Sequence, residues 1–159
     1  MGKKEEKTNV MRVLDQKKIE YKHYSYEPDA TLTGEEIANM LSEDVDKVFK
    51  TLLATNGKNV YYVFMVPVAR ELDLKKAAKA VGEKSIEMAK AKDLLGLTGY
   101  VHGGCSPIGM KKQYKTTIHE TAKNFDTILY SGGRVGFQVE TTPADLESIV
   151  PLSYADICI

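Results

Sequence analysis

The chain has 159 residues, the size of one typical domain, and we expect residues 1–159 to form a single domain. Hydrophobic residues make up 43% and charged residues 28%, a balance that argues against disorder. Lys and Arg number 22, and Asp and Glu also number 22, so the net charge is zero. This balance excludes a globally basic coat, and we expect no DNA partner, although a local basic patch remains open.

The N-terminal residues are charged and show no apolar stretch of the kind that a signal peptide carries. The longest apolar run, Val60 to Ala69, has ten residues and contains Pro67, so it is too short to span a bilayer. The two cysteines, Cys105 and Cys158, do not form a disulfide framework. We therefore expect a reduced, cytoplasmic protein with no membrane partner.

Several local signals predict secondary structure directly. Thr33 followed by Glu36 is a capping box that starts a helix, and Asn56-Gly57 predicts a hairpin turn. Helices are predicted to begin after Thr8, Thr33, Asp73, Asp93 and Thr142, and strands are predicted over 21–26, 48–55, 60–68, 85–88, 116–119, 127–130, 135–141 and 154–159, with a further strand entering a loop at Tyr100. Hairpins mixed with helices favour an α+β (mixed α/β) domain around a mostly antiparallel or mixed sheet.

Well-known catalytic motifs are absent. Ser106 follows Gly104 as in a nucleophile elbow, but Ile108 replaces the last glycine and Pro107 prevents the turn. Neither a phosphate-binding P-loop nor a dinucleotide fingerprint is present. His102 and Cys105 have metal-ligand spacing, yet no second pair completes a tetrahedral set. We predict neither a metal nor a cofactor.

Cys105 leaves two alternatives open. As a catalytic nucleophile it would need a base, and His102 is close in the sequence. As a free thiol in an apolar segment it would be a buried hydrophobic residue, which is the commoner role.

Three other features have both a functional and a structural interpretation. Gly103 and Gly104 would let backbone N–H groups hold a polarised carbonyl oxygen, or would only shape a tight loop. Lys50 interrupts an apolar strand, so it either points to solvent or enters a cavity as a functional group. Ser131 precedes two glycines and would also serve as a cap of a hairpin turn.

Positive charge is concentrated in two places. One group follows the glycine-rich loop and the other lies on a predicted helix, and each would bind phosphates or simply face solvent. The first group is Lys111, Lys112, Lys115 and Arg134, with Tyr114 among them, and the second is Lys75, Lys76 and Lys79.

A series of short motifs runs in order along nearly the whole chain. The motifs are Phe49-Lys50-Thr51-Leu52, Leu74-Lys75-Lys76-Ala77-Ala78, Thr98-Gly99-Tyr100, Gly103-Gly104-x-Ser106-Pro107-x-Gly109, and Ser131-Gly132-Gly133 followed by Gly136. Each is weak alone, but their joint pattern resembles the YbaK/EbsC family of aminoacyl-tRNA deacylases. That family is similar to the editing insertion domain of bacterial prolyl-tRNA synthetases.

The resemblance implies a curved mixed sheet or partial barrel surrounded by helices. It implies a trans-editing enzyme that removes mischarged cysteine from tRNA(Pro), with Cys-tRNA(Cys) as a further substrate. The substrate's own thiol would attack its ester carbonyl and leave as a thiolactone, while the protein supplies position and electrostatics. The partners would be aminoacyl-tRNA and prolyl-tRNA synthetase.

The resemblance also implies roles for individual residues. Lys50 and Gly104 would be catalytic: the Gly104 N–H would bind the carbonyl oxygen, and Lys50 would hold that oxygen or a tRNA phosphate. The implied substrate-binding residues are Tyr26, Thr51, Gly103, Ser131 and Gln138. Gln138 stands where relatives can carry Asp, and this departure weighs against an acid–base role at that position.

Two other functions compatible with the sequence are a non-catalytic module that binds a nucleotide or aminoacyl group, and a deacylase of another small aminoacyl-tRNA such as Ala- or Ser-tRNA.

Overall fold

The computed structural model of the protein describes residues 7–29 and 31–159. Within these residues the helices are α1 (Asn9–Gln16), α2 (Gly34–Met40), α3 (Leu74–Val81), α4 (Leu94–Thr98) and α5 (Pro143–Glu147). The strands are β1 (Lys22–Ser25), β2 (Phe49–Thr55), β3 (Tyr61–Pro67), β4 (Glu87–Met88), β5 (Thr116–His119), β6 (Ile128–Ser131), β7 (Phe137–Thr141) and β8 (Leu152–Ala155). Short 3₁₀ turns cover 45–47, 91–93 and 120–124.

Local capping signals set the helix ends as predicted. The Thr33 hydroxyl accepts the Glu36 N–H while the Glu36 carboxylate accepts the Thr33 N–H, so both halves of the capping box are present. Asp73 caps α3 by accepting two N–H groups, and Gly82 ends the helix with a φ of 76°.

The larger sheet has five strands in the order β4-β2-β3-β5-β8. The predicted hairpin is confirmed because β2 and β3 pair antiparallel, with Lys50 opposite Val66. The strand β3 is central, as its continuous apolar sequence indicates, and pairs parallel with β5 on its other side. The sheet is therefore mixed, as predicted.

The smaller sheet is antiparallel, in the order β1-β7-β6. It meets the larger sheet through one parallel bridge between Val48 and Leu129, just before β2 begins. At its far end, β2 pairs instead with β4. The expected mixed fold is confirmed, and the two sheets remain open rather than closing into a barrel.

The alternation of side chains along β3 divides the core between two faces of the larger sheet. Met65 contributes to the main apolar cluster with Leu14 of α1. Phe64 faces the other way and packs with Ala77 of α3. Full burial of a phenylalanine side chain stabilises the fold by about 1.5–3 kcal/mol, so Phe64 is a principal anchor of α3.

Two sequence predictions are wrong in detail. No strand forms at Tyr100, whose hydroxyl instead donates to the Ile108 carbonyl within a loop bent by glycines of positive φ. The last strand covers 152–155 instead of 154–159, since pairing with β5 sets its position.

Candidate active site

The bridge between Val48 and Leu129 brings Lys50 and Ser131 to the same level of two neighbouring strands. Each lies two residues beyond a bridge residue, and the bridge is parallel. Because side chains alternate along a strand, Lys50 and Ser131 point to the same face as Val48 and Leu129. That face is covered by α2, since Val48 and Leu129 pack with Ala38.

Gln138 belongs to the same face. Its Cα is paired with Ser131 on one side and with Tyr24 on the other. The side chain is 6% exposed, and its Oε1 has no hydrogen-bond partner within the described residues. The Ser131 hydroxyl accepts the Gly133 N–H at 3.1 Å, so this serine also caps the hairpin turn. The structure thus brings Lys50, Ser131 and Gln138 together.

Lys50 is neither fully solvent-exposed nor buried. Its side chain is 30% exposed and lies on the strand face between Val48 and Leu52. Its Nζ is 3.5 Å from a carboxylate oxygen of Glu71, which is 78% exposed. An ion pair of this kind contributes about 0–1 kcal/mol. Lys50 is therefore free to exchange Glu71 for a phosphate or a carbonyl oxygen at little cost.

Thr51 and Tyr26 lie apart from this group. Thr51 points to the opposite face of β2, because it follows Lys50 directly, and its buried hydroxyl has no partner within the described residues. Tyr26 lies just beyond β1, where its N–H donates to the Gly136 carbonyl at 2.9 Å. Its backbone thus lies next to the hairpin turn that follows Ser131, and its side chain is half-buried.

The glycine-rich loop packs against that same turn. The Gly104 N–H, expected to be free, donates to the Val101 carbonyl at 3.0 Å, and Gly103 occupies the third turn position with a φ of 85°. A Cβ on Gly104 would lie 3.0 Å from the Val135 amide nitrogen. Gly104 is thus required for close packing against the turn, whereas the structural alternative gave the glycines only a role in shaping their own loop.

Free donors are present on either side of Gly104. The N–H groups of Gly103 and Cys105 have no hydrogen-bond acceptor in residues 7–29 and 31–159. Gly103 is exposed, whereas Cys105 is buried. The donor role expected of Gly104 therefore fits the Gly103 N–H better.

Cys105 does not have the surroundings of an activated nucleophile. Its side chain is 7% exposed, and burial raises the pKa of its thiol to about 12. His102 is exposed on the loop. A catalytic cysteine needs a lowered pKa and an accessible thiolate, so Cys105 fits the buried hydrophobic role.

A polar network around Glu140 was not predicted from the sequence. One Glu140 oxygen accepts the Tyr24 hydroxyl at 2.7 Å, and the other accepts the Lys47 ammonium at 3.1 Å and the Thr127 hydroxyl. Burial raises the pKa of Glu140, but these hydrogen bonds outweigh burial and leave that pKa below its usual value. The one sequence signal for this network was the spacing of Tyr24 and Tyr26, which places both tyrosines on the same face of the strand predicted over 21–26.

Glu43 is the second residue that the sequence did not reveal. Both of its carboxyl oxygens are buried, and neither has a geometrically sound hydrogen bond within the described residues, although the Gln138 amide lies beside them. Burial raises the pKa of Glu43, and the charge of Glu140 raises it further. An acid just after the end of α2 looks like an ordinary surface residue in the sequence, so no signal marked it.

Other parts of the described chain offer weaker sites. A surface hollow of about 640 Å³ has four acidic residues in its lining, Asp15, Glu20, Glu140 and Asp145, against the cation Lys22, so its net negative charge would repel tRNA phosphates. Among residues 7–29 and 31–159, no group of three or more acidic, histidine or cysteine side chains is placed to hold a metal ion. None of the described helices is long and apolar enough to cross a membrane.

Comparison with known proteins defines the class. The family model of the aminoacyl-tRNA editing domain matches residues 28–149, which include β2, the glycine-rich loop and the β6–β7 hairpin. The chain belongs to the aminoacyl-tRNA editing domain family.

Individual relatives agree with this class. The chain is 42% identical over 156 residues to EbsC of Enterococcus faecalis, whose assigned activity is deacylation of Cys-tRNA(Pro) and Cys-tRNA(Cys); the match covers 98% of this chain and 95% of EbsC. It is 29% identical over 99 residues to a proline–tRNA ligase of Fervidobacterium nodosum, covering 62% of this chain and 17% of the ligase. A crystal structure described as a trans-editing enzyme for prolyl-tRNA synthetase has the same fold, with a TM-score of 0.79, 24% identity and coverage of 94% and 96%.

Proposed function

We propose that this protein is a trans-editing deacylase that removes cysteine from mischarged tRNA(Pro) and also accepts Cys-tRNA(Cys). The observation that carries the proposal is the combination of Lys50 and unengaged backbone N–H groups with a protonated, buried Cys105. Such a site stabilises charge but supplies no nucleophile of its own. It suits a substrate that brings its nucleophile with it.

The reaction is an intramolecular acyl transfer. The cysteine thiol of the substrate attacks its own ester carbonyl, so that a C–S bond forms and the C–O bond to the terminal ribose breaks. The thiol proton ends on the ribose oxygen, and the products are uncharged tRNA and a cysteine thiolactone. Holding thiol and carbonyl in contact supplies much of the rate enhancement.

The residues of the site have distinct roles in this proposal. The Gly103 N–H donates to the carbonyl oxygen as negative charge develops there, in place of the engaged Gly104 N–H. Lys50, on the face of β2 that carries Val48 and Leu52, holds the phosphate of the terminal nucleotide. Ser131 and Gln138 line the face on which Lys50 lies.

Selectivity for cysteine follows from the chemistry more than from the pocket. An apolar pocket separates amino acids that differ by one methylene by only about 1–3 kcal/mol. Serine has a hydroxyl in place of the thiol, and alanine has no nucleophile. A reaction that needs the thiol therefore discriminates against both without a tight pocket.

The direct test compares deacylation of Cys-, Ser- and Ala-tRNA(Pro) by the purified protein, with S-methylcysteinyl-tRNA(Pro) as the matched control. We expect release of cysteine alone, and a thiolactone detected by mass spectrometry before it hydrolyses. Release of serine, alanine or S-methylcysteine at a similar rate would show that an activated water, and not the substrate thiol, is the nucleophile. Retained tRNA binding without any deacylation would instead identify a non-catalytic binding module.

We further propose that the protein works in the cytoplasm beside prolyl-tRNA synthetase. Its zero net charge predicts weak intrinsic affinity for tRNA. Size-exclusion chromatography with synthetase and tRNA(Pro) tests this association, and a ternary peak is the expected result. Unshifted elution of all components would contradict it.

A further inference from the structure

The segment from Met88 to Ile118 carries an unbalanced positive charge. It contains five lysines but a single acidic residue, Asp93, in a chain of zero net charge. All five are exposed, and none has an ion-pair partner within residues 7–29 and 31–159. These lysines, called here the loop lysines, are Lys90, Lys92, Lys111, Lys112 and Lys115.

Contacts hold the segment that carries Lys111, Lys112 and Lys115 beside the glycine-rich loop. The Lys111 N–H donates to the Thr98 carbonyl at 3.0 Å, and the Lys111 side chain passes over Gly99, where a Cβ would lie 3.4 Å from its Cγ. The Tyr114 hydroxyl donates to the Leu97 carbonyl at 2.8 Å. The 110–115 segment is thereby held against α4, and the loop that carries the free N–H groups connects the two.

The lysines on and after α3 are nearly balanced by acidic neighbours. Residues 70–87 contain five cationic and four acidic residues, and Lys76 forms a 3.0 Å salt bridge with Asp156. The two groups lie on opposite faces of the larger sheet, because Val63 packs with Tyr114 whereas Phe64 packs with α3. An anionic partner is therefore attracted mainly to the face of the glycine-rich loop.

Exposed apolar side chains on the same segment favour a nucleic acid over a small anion as the partner. Leu95 is 55% exposed and Val101 is 52% exposed. A small inorganic anion would engage only the lysines. A nucleic acid presents phosphates to the lysines and the flat surfaces of ribose and base to the apolar side chains.

We propose that the loop lysines bind backbone phosphates of the tRNA acceptor arm and direct its aminoacylated end to the glycine-rich loop. This inference rests on the proposed function, because it names the surface by which that substrate is held. Phosphate contacts position a nucleic acid without reading its sequence. The surface therefore binds different tRNAs alike, and selection falls to the attached amino acid and to any partner protein.

The test uses two variants of equal charge change. The first combines Lys111→Gln, Lys112→Gln and Lys115→Gln, and the matched control combines Lys75→Gln, Lys79→Gln and Lys84→Gln on and after α3. All six side chains are exposed, so we expect both variants to unfold at the wild-type temperature. Affinity for uncharged tRNA(Pro) is measured by fluorescence anisotropy between about 50 and 200 mM salt.

We expect the first variant to lose affinity and to lower the slope of log affinity against log salt by about one for each lysine on a phosphate. Its KM for Cys-tRNA should rise while kcat and the turnover of a small cysteine ester stay unchanged. The control variant should match wild type. An unchanged slope in the first variant, or equal losses in both, would overturn the inference.

The same measurements separate this inference from the proposed function. Deacylation by wild type together with an unchanged salt slope in the first variant refutes the phosphate surface and leaves the activity standing. Lysine-dependent tRNA binding without deacylation refutes the activity and supports the surface.

Discussion

Gly104 lies so close to Val135 that a Cβ on Gly104 would come within 3.0 Å of the Val135 amide nitrogen and 3.2 Å of the Arg134 carbonyl carbon. Both atoms belong to backbone, which cannot move aside as the tip of a side chain can. This contact fixes the glycine-rich loop against the turn between β6 and β7. It therefore ties the free Gly103 N–H to the strand that carries Ser131.

We expect Gly104→Ala to destabilise the protein by about 1–3 kcal/mol, the usual range for overpacking a tight contact. For a chain of this length each kcal/mol lowers Tm by roughly 2–4 °C. Deacylation should fall as well, because the loop is displaced. The matched control is Gly96→Ala, whose new Cβ meets nothing within 4 Å and which should be neutral or slightly stabilising. Equal Tm values for the two variants would contradict the contact.

Lys50→Ala separates function from stability. Its ion pair with the exposed Glu71 contributes about 1 kcal/mol at most, so Tm should hardly change. A misplacement of bound substrate by about 1 Å can lower the rate by about 10²-fold, and we expect loss of the lysine that holds the terminal phosphate to lower single-turnover deacylation by about 10²-fold.

The control for Lys50 is Glu71→Gln, which breaks the same ion pair and leaves the lysine in place. We expect this variant to deacylate at the wild-type rate. Full activity in Lys50→Ala would refute a catalytic role for Lys50.

The sequence predicted elements whose signals are local and missed relationships that depend on distant pairing. The Thr33 and Glu36 capping box acts within one turn, so it was visible directly. Gly104 stood out in the sequence as one of a pair of glycines, but its packing contact lies about thirty residues away at Val135. Only the register of β6 and β7 shows the close approach.

The pairing of strands also distinguishes two tyrosines, Tyr24 and Tyr26, between which the sequence does not choose. Tyr24 and Tyr26 are two residues apart and both aromatic, so alternation alone does not choose between them. The register places Tyr24 directly opposite Gln138, whereas Tyr26 lies beyond the strand. The role expected of Tyr26 remains a prediction, and Tyr24 is the stronger candidate on this face.

Replacement of Cys105 tests whether the enzyme supplies a thiol. Because burial raises the pKa of Cys105 to about 12, the thiolate is scarce at neutral pH. We expect Cys105→Ala to deacylate Cys-tRNA(Pro) at nearly the wild-type rate per folded molecule, with a stability loss of about 1 kcal/mol from the lost packing. A decrease of about 100-fold or more in a folded variant, comparable to loss of a catalytic group, would show that Cys105 takes part in catalysis.

Glu43 predicts an unusual dependence of stability on pH. Its pKa in the folded state is raised, first by burial and then by the charge of Glu140, and the Gln138 amide and Lys47 only partly oppose this. The folded protein therefore binds a proton at Glu43 more readily than the unfolded chain does. The corresponding stability is fully present below the ordinary pKa of 4.5 and is lost as the pH rises through the folded value.

Glu43→Gln removes this titration while keeping the shape of the side chain. We expect the variant to be more stable than wild type at about pH 8, where the buried carboxylate is charged, and the difference to shrink toward about pH 5. Urea unfolding at both values measures it. Glu36→Gln is the control, since Glu36 is exposed and caps α2. If the stability advantage of Glu43→Gln over wild type instead grew as the pH fell, Glu43 would be stabilised as the carboxylate. That result would contradict the inference from its unpartnered oxygens.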